Sequence, residues 1–74
     1  MKRFGSKLYQ LRTQRGLTLA ELGHLLGVHN TFVSQLEKGR KLPNAEMILK
    51  VADTFDITTD QLMRDELDVP EHDC

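Results

Sequence analysis

The chain has one cysteine, Cys74, and it is the last of its 74 residues. A single thiol closes no intrachain disulfide, so the fold must be held by its core. No apolar run approaches the roughly 20 residues that span a bilayer, and the N-terminus has no apolar signal-peptide segment. These absences exclude a disulfide-stapled secreted scaffold and a helical membrane protein, and suit a cytoplasmic chain with reduced thiols. No internal repeat or low-complexity tract is present. Metal ligands are equally sparse. His24 and His29 stand five apart across an expected helix end, His72 and Cys74 sit in the last residues, and no four-ligand zinc pattern emerges. No nucleophile–base pair is evident, and so small a core leaves little room for a substrate pocket. An enzyme, a cofactor, a metal and a small-molecule ligand are therefore not expected.

What is there is one small domain, near the lower limit of what folds alone. Its net charge of −1 conceals a strong asymmetry. Residues 1–41 hold eight Lys/Arg against two acids, a balance of +6, and residues 42–74 hold two bases against nine acids, a balance of −7. A basic half of this kind can face a polyanion while the acidic half points away.

Periodicity predicts five helices and no strand. The first, about Phe4 to Gln14, sets Phe4, Leu8 and Leu11 on one stripe and stops at Gly16. The second opens with Thr18 and Glu21 in capping-box spacing, lines up Leu19, Leu22, Gly23 and Leu26, and ends at Gly27. Gly23 inside a helix costs roughly 1 kcal/mol relative to Ala, which a close approach of a neighbouring helix would offset. Only "GVH" separates this helix from the third, about Asn30 to Lys38, and so short a link forces a helix-turn-helix with Val28 filling the gap. The third helix buries Val33, Leu36 and part of Phe32, and offers Asn30, Thr31, Ser34 and Gln35 on its other face. Asn44 caps a fourth helix, to about Phe55, with Ile48, Val51, Ala52 and Phe55 inside. Thr58 and Gln61 repeat the capping-box spacing before a short fifth helix, about Thr59 to Asp65, that contributes Leu62 and Met63. The domain is therefore expected over residues 1–65, with residues 66–74 a fraying acidic tail.

The stretches "LGV", "VSQLEKGRKLP" and "ITTDQL" together resemble the Cro/C1-type (XRE) helix-turn-helix family of phage repressors and bacterial regulators, over roughly residues 4 to 63. Phe32 followed by "VSQLEKG" is also similar to the small dimeric controllers of restriction-modification systems. The resemblance implies an all-α, five-helix, lambda-repressor-like bundle that binds double-stranded DNA and regulates transcription. It implies that the third helix enters the major groove with Asn30, Thr31, Ser34 and Gln35 at base edges. Asn and Gln amides suit adenine, and a Thr methyl suits a thymine methyl. Lys38, Arg40 and Lys41 would grip phosphates, as would the start of the second helix at Thr18 and Leu19. Arg12 and Glu37 match a structural ion pair of the family. Met63, Leu67 and Val69 either cover the bottom of the core or, as the resemblance favours, form the interface of a homodimer on a pseudopalindromic operator. Two departures stand out. Leu19 replaces a common Gln that often contacts the DNA backbone or a base, and His29 replaces the usual N-cap Ser. An imidazole is expected to cap poorly, and protonated it would pair with phosphate. The rival reading is an antitoxin-like module that binds a protein toxin. The acidic tail stays open between an inert segment, an autoinhibitory one and a contact for RNA polymerase.

Overall fold

The computed structural model describes residues 2–70 and, within them, five helices and no strand: α1 (Phe4–Gln14), α2 (Leu19–Leu26), α3 (Asn30–Glu37), α4 (Ala45–Phe55) and α5 (Thr59–Met63). Each apolar stripe turns inward. Leu8, Leu11, Leu22, Leu26, Val33, Leu36, Val51 and Leu62 meet in one core, closed at its edges by Phe4, Ile48 and Phe55. None of these helices is long and apolar enough to cross a membrane.

The capping signals act locally. Thr18 Oγ1 accepts from the Glu21 N–H at 3.0 Å while Glu21 reaches back to the Thr18 N–H at 2.8 Å. Thr58 and Gln61 repeat the exchange at α5, and Asn44 takes the Met47 N–H at 2.8 Å. Gly27, at φ 74°, turns the chain out of α2 in the left-handed region, and the Val28 N–H then closes on the Gly23 carbonyl at 2.8 Å. A Cβ on Gly23 would stand 2.7 Å from the Val28 carbonyl oxygen and 3.3 Å from the Asn30 nitrogen. The turn and the first residue of α3, rather than a flank of another helix, are what approach it.

Two features depart from expectation. The fifth helix ends at Met63, and Arg64 is already extended. Lys7 explains this. Its side chain is buried, and Nζ donates to the carbonyls of Gln61 and Arg64 at 2.6 Å each, capping α5 from α1. Burial pushes the Lys7 ammonium below its usual pKa, and the positive charge of Arg3 adds to that. Beyond the helix, Asp65 turns to the start of α1, where its Oδ1 accepts the backbone N–H groups of Lys2 (2.8 Å) and Arg3 (3.0 Å). Arg3 in turn donates to the carbonyl of Asp65 at 2.6 Å and to the Asp68 carboxylate at 2.6 Å. These backbone hydrogen bonds, the one from Arg3 foremost, hold Asp65 below the usual carboxylate pKa, and the Arg3 side chain does the same for Asp68. The clasp lays Val69 into the core, 4% exposed. Val69, four residues past the expected boundary at residue 65, thus packs with the five-helix core. Residues 71–74 of the expected tail, with His72 and Cys74, lie outside the described residues.

Candidate nucleic-acid interface

Three contacts fix the orientation of α3. Val33 and Leu36 anchor it from below, fully buried. From α1, Gly5 passes so close that a Cβ there would stand 2.6 Å from the carbonyl oxygens of both Leu36 and Glu37. Across the same contact, Arg12 Nε lies 2.6 Å from Glu37 Oε2 and Nη2 lies 3.2 Å from Oε1, a two-pronged pair, while Nη1 donates to the Leu17 carbonyl at 2.9 Å. The side chains of Arg12 and Glu37 are 14% and 7% exposed, and the hydrogen bond to Glu37 raises the guanidinium pKa further. The Arg12 guanidinium also covers the Tyr9 ring, 5.3 Å from its centroid. With one face so held, Asn30 and Thr31 stand exposed on the other, Ser34 and Gln35 half-buried beside them. Phe32 is partly buried against the core.

At the start of α3 the structure corrects the reading of His29. The ring is an effective cap: Nδ1 accepts the Thr31 backbone N–H at 3.1 Å. An acceptor nitrogen carries no proton, so in this geometry the Nδ1 lone pair faces the helix and a ring N–H is left on Nε2. At the start of α2, the Thr18 N–H and the acceptor side of its hydroxyl are both taken up by the capping box. What remains for an anion is the Thr18 O–H and the first N–H groups of the helix, at Leu19 and Ala20, which have no intrahelical acceptor. The Glu21 carboxylate already sits at this end and partly offsets the helix dipole.

At the far end of α3, Gly39 takes φ 75°, and the chain doubles back so that the N–H groups of Arg40 and Lys41 both fall on the Gln35 carbonyl, at 2.9 and 3.3 Å. Lys38, Arg40 and Lys41 emerge exposed beside the polar face. Lys2, which the sequence reading passed over, lines one groove with Gly39, Lys41 and Leu42. The basic surplus of the first half is smaller at the surface than in the sequence. Lys7 and Arg12 are spent inside the fold, and Arg3 is spent on the segment after α5.

Of the residues expected at a dimer interface, Met63 and Leu67 are 44% and 38% exposed, whereas Val69 belongs to the core of its own chain and offers no free surface. An apolar groove lined by Ala45, Ile48, Leu49, Thr59 and Met63 runs between α4 and α5, and Leu49 is 55% exposed there. Sequence periodicity missed Leu49 because it lies just outside the inner stripe of α4.

Known proteins share this arrangement. The model of the helix-turn-helix family matches residues 8–62, most of the chain. The HTH-type transcriptional activator BcrR of Enterococcus faecalis is 38% identical over 63 residues, 85% of this chain, although the chain spans only 31% of that protein's length. Among solved structures, the restriction-modification controller protein C.AhdI from Aeromonas hydrophila superposes with a TM-score of 0.75 at 34% identity, covering 84% of this chain and 94% of that one. The P22 c2 repressor, solved in complex with a synthetic operator, gives 0.77 at 28% identity, covering 82% and 92%. With its two capped helices at a glycine turn and its core of five, the chain belongs to the Cro/C1-type helix-turn-helix family of DNA-binding transcriptional regulators.

Proposed function

We propose that the protein binds a pseudopalindromic operator as a homodimer, with α3 in the major groove of each half-site, and regulates transcription by occupying it. The observation that carries this reading is the polar face of α3: it is held from behind by Gly5 and the Arg12–Glu37 pair and flanked at its exit by three exposed cations. Rigid positioning matters because base readout depends on hydrogen bonds of fixed geometry. Asn30, Thr31, Ser34 and Gln35 supply those, each good two-pronged contact giving about 1–3 kcal/mol of discrimination. Lys38, Arg40, Lys41 and the newly identified Lys2 neutralise phosphates, adding affinity and salt dependence without sequence information. His29 and the α2 start at Thr18 and Leu19 add uncharged donors to the backbone.

The second copy docks through the exposed apolar groove of α4 and α5 with Met63 and Leu67, without Val69. A two-fold dimer sets the recognition helices about 34–36 Å apart, one turn of duplex. P22 c2, whose structure holds an operator, and C.AhdI, a controller protein, are similar to this chain over most of its length, which supports the operator reading. The site of action is the cytoplasm, beside the chromosome.

Selection of duplexes from a random pool by the purified protein at near-physiological salt tests the proposal. Enrichment of an inverted repeat with half-sites one helical turn apart is the expected result. Binding without enrichment, vanishing as salt rises, overturns operator recognition and leaves only a phosphate-binding surface.

A further inference from the structure

We infer that His29 sets the hydrogen-bonding polarity at the start of the recognition helix, so that Thr31 meets the operator as an acceptor and selects a base bearing an exocyclic amino group. The inference rests on the major-groove reading above and deepens it by naming what one side chain reads.

One of the groups at this corner cannot turn. The backbone N–H of Thr31 lies 3.1 Å from His29 Nδ1, and a backbone N–H only donates. Nδ1 must therefore present its lone pair, which places the single ring proton on Nε2. The Thr31 hydroxyl lies 3.0 Å from the same Nδ1. Nδ1 has one lone pair, which the N–H already engages, so the hydroxyl can meet it only by donating into that same pair, never by accepting. The other neighbour of that hydroxyl, Asn30 Oδ1 at 3.4 Å, is an acceptor as well. Each inward neighbour can only accept, so the single hydroxyl proton is directed inward, to one or the other of them. What the exposed Thr31 turns outward is lone pairs and a methyl group.

In the major groove, outward lone pairs match adenine N6 and cytosine N4, and they oppose guanine O6 and thymine O4. A serine at the N-cap would not impose this, because its hydroxyl both donates and accepts. The imidazole does, because the backbone has fixed which of its nitrogens is bare. The same tautomer leaves Nε2–H as an uncharged donor on the far side of the ring, so a phosphate contact from His29 needs no imidazolium.

The test uses the full chain and the operator obtained by selection. The base pair read by Thr31 is the one whose preference disappears in Thr31→Val, which keeps the shape and one methyl but removes the hydroxyl. Fluorescence anisotropy then compares that operator with one lacking only the amino group at that position, with purine in place of adenine or pyrimidin-2-one in place of cytosine. Deleting the amino group should weaken wild-type binding roughly tenfold, as one lost base contact does, and Thr31→Val binding by less than about twofold. His29→Ala, which frees the hydroxyl to turn, should lose the dependence on the amino group. His29→Asn, whose Oδ1 can accept both the N–H and the O–H, should restore it, and melting curves of both variants establish that the fold is intact. An operator indifferent to the amino group in the wild type overturns the inference, as does a Thr31→Val variant with an unchanged motif or a His29→Ala variant that retains the dependence. Failure to enrich any motif overturns operator recognition itself, and this inference with it.

Discussion

Replacing Lys7 with methionine should destabilise the protein more than its position in the sequence suggests. Methionine reproduces the aliphatic stem, so core packing is nearly conserved. What is lost is the ammonium that donates to the Gln61 and Arg64 carbonyls, 2.6 Å from each. A hydrogen bond from a charged group contributes about 1.5–3 kcal/mol net, and two would give about 3–6. Desolvation of the ammonium, the leading cause of its lowered pKa, offsets part of this. A loss of about 2–4 kcal/mol remains, out of a total near 4–11 kcal/mol for a domain of this size. At about 4–8 °C per kcal/mol, the melting midpoint should fall by roughly 10–30 °C. Thermal unfolding followed by circular dichroism reads this directly. A midpoint within about 3 °C of wild type, less than 1 kcal/mol allows, would refute the assignment of Lys7 as the cap of α5.

Other expectations follow from the same contacts. Arg12→Ala strands the nearly buried Glu37 carboxylate and should cost about 3–5 kcal/mol, measured by urea unfolding; an unchanged midpoint would remove the pair from the structural account. Gly5→Ala separates two physical effects by sign. Helix propensity alone predicts stabilisation by up to about 1 kcal/mol, whereas contact with the Leu36 and Glu37 carbonyls predicts a loss of about 1–3 kcal/mol, and we expect the loss. Asp65 and Asp68 both have lowered pKa values in the folded chain. The stabilisation they contribute is therefore present above the unfolded carboxylate value of about 3.9 and is lost as pH falls through it toward the folded values. Asp65→Asn should flatten that acid limb of the stability profile, and a limb of unaltered slope would argue against the clasp. Met63→Asp combined with Leu67→Asp should leave a folded monomer with much weaker operator binding; a variant still dimeric in sedimentation would move the interface off α5 and the segment after it.

The helices were legible from the sequence because their signals are local. An i, i+4, i+7 stripe such as Phe4, Leu8 and Leu11 buries the same face whatever it packs against, and the capping boxes at Thr18 and Thr58 close between residues three apart. Gly27 likewise ends α2 through its own backbone conformation. The short link that follows forces a sharp turn into α3, whose own apolar spacing at Val33 and Leu36 named its polar face in advance. A family resemblance implied the base-contact roles proposed for those polar residues and anticipated the pairing of Arg12 with Glu37, which stand 25 apart and share no periodicity.

The tertiary structure decided the other contacts between groups distant in the chain. Lys7 looks like one more basic surface residue until α5 delivers two carbonyls to it from 54 and 57 residues away. Asp65 and Val69 look like the start of a loose acidic tail until Asp65 meets the free N–H groups at the start of α1, which have no acceptor within their own helix. Even His29, only two residues from its partner, required coordinates. Composition ranks an imidazole as a poor cap, and only the orientation of the ring turns Nδ1 toward the Thr31 N–H. Periodicity records which side of a helix is apolar. Which polar group a buried or terminal side chain meets is a matter of three-dimensional closure, and that is where the remaining stability and the hydrogen-bonding character of the exposed start of α3 were set.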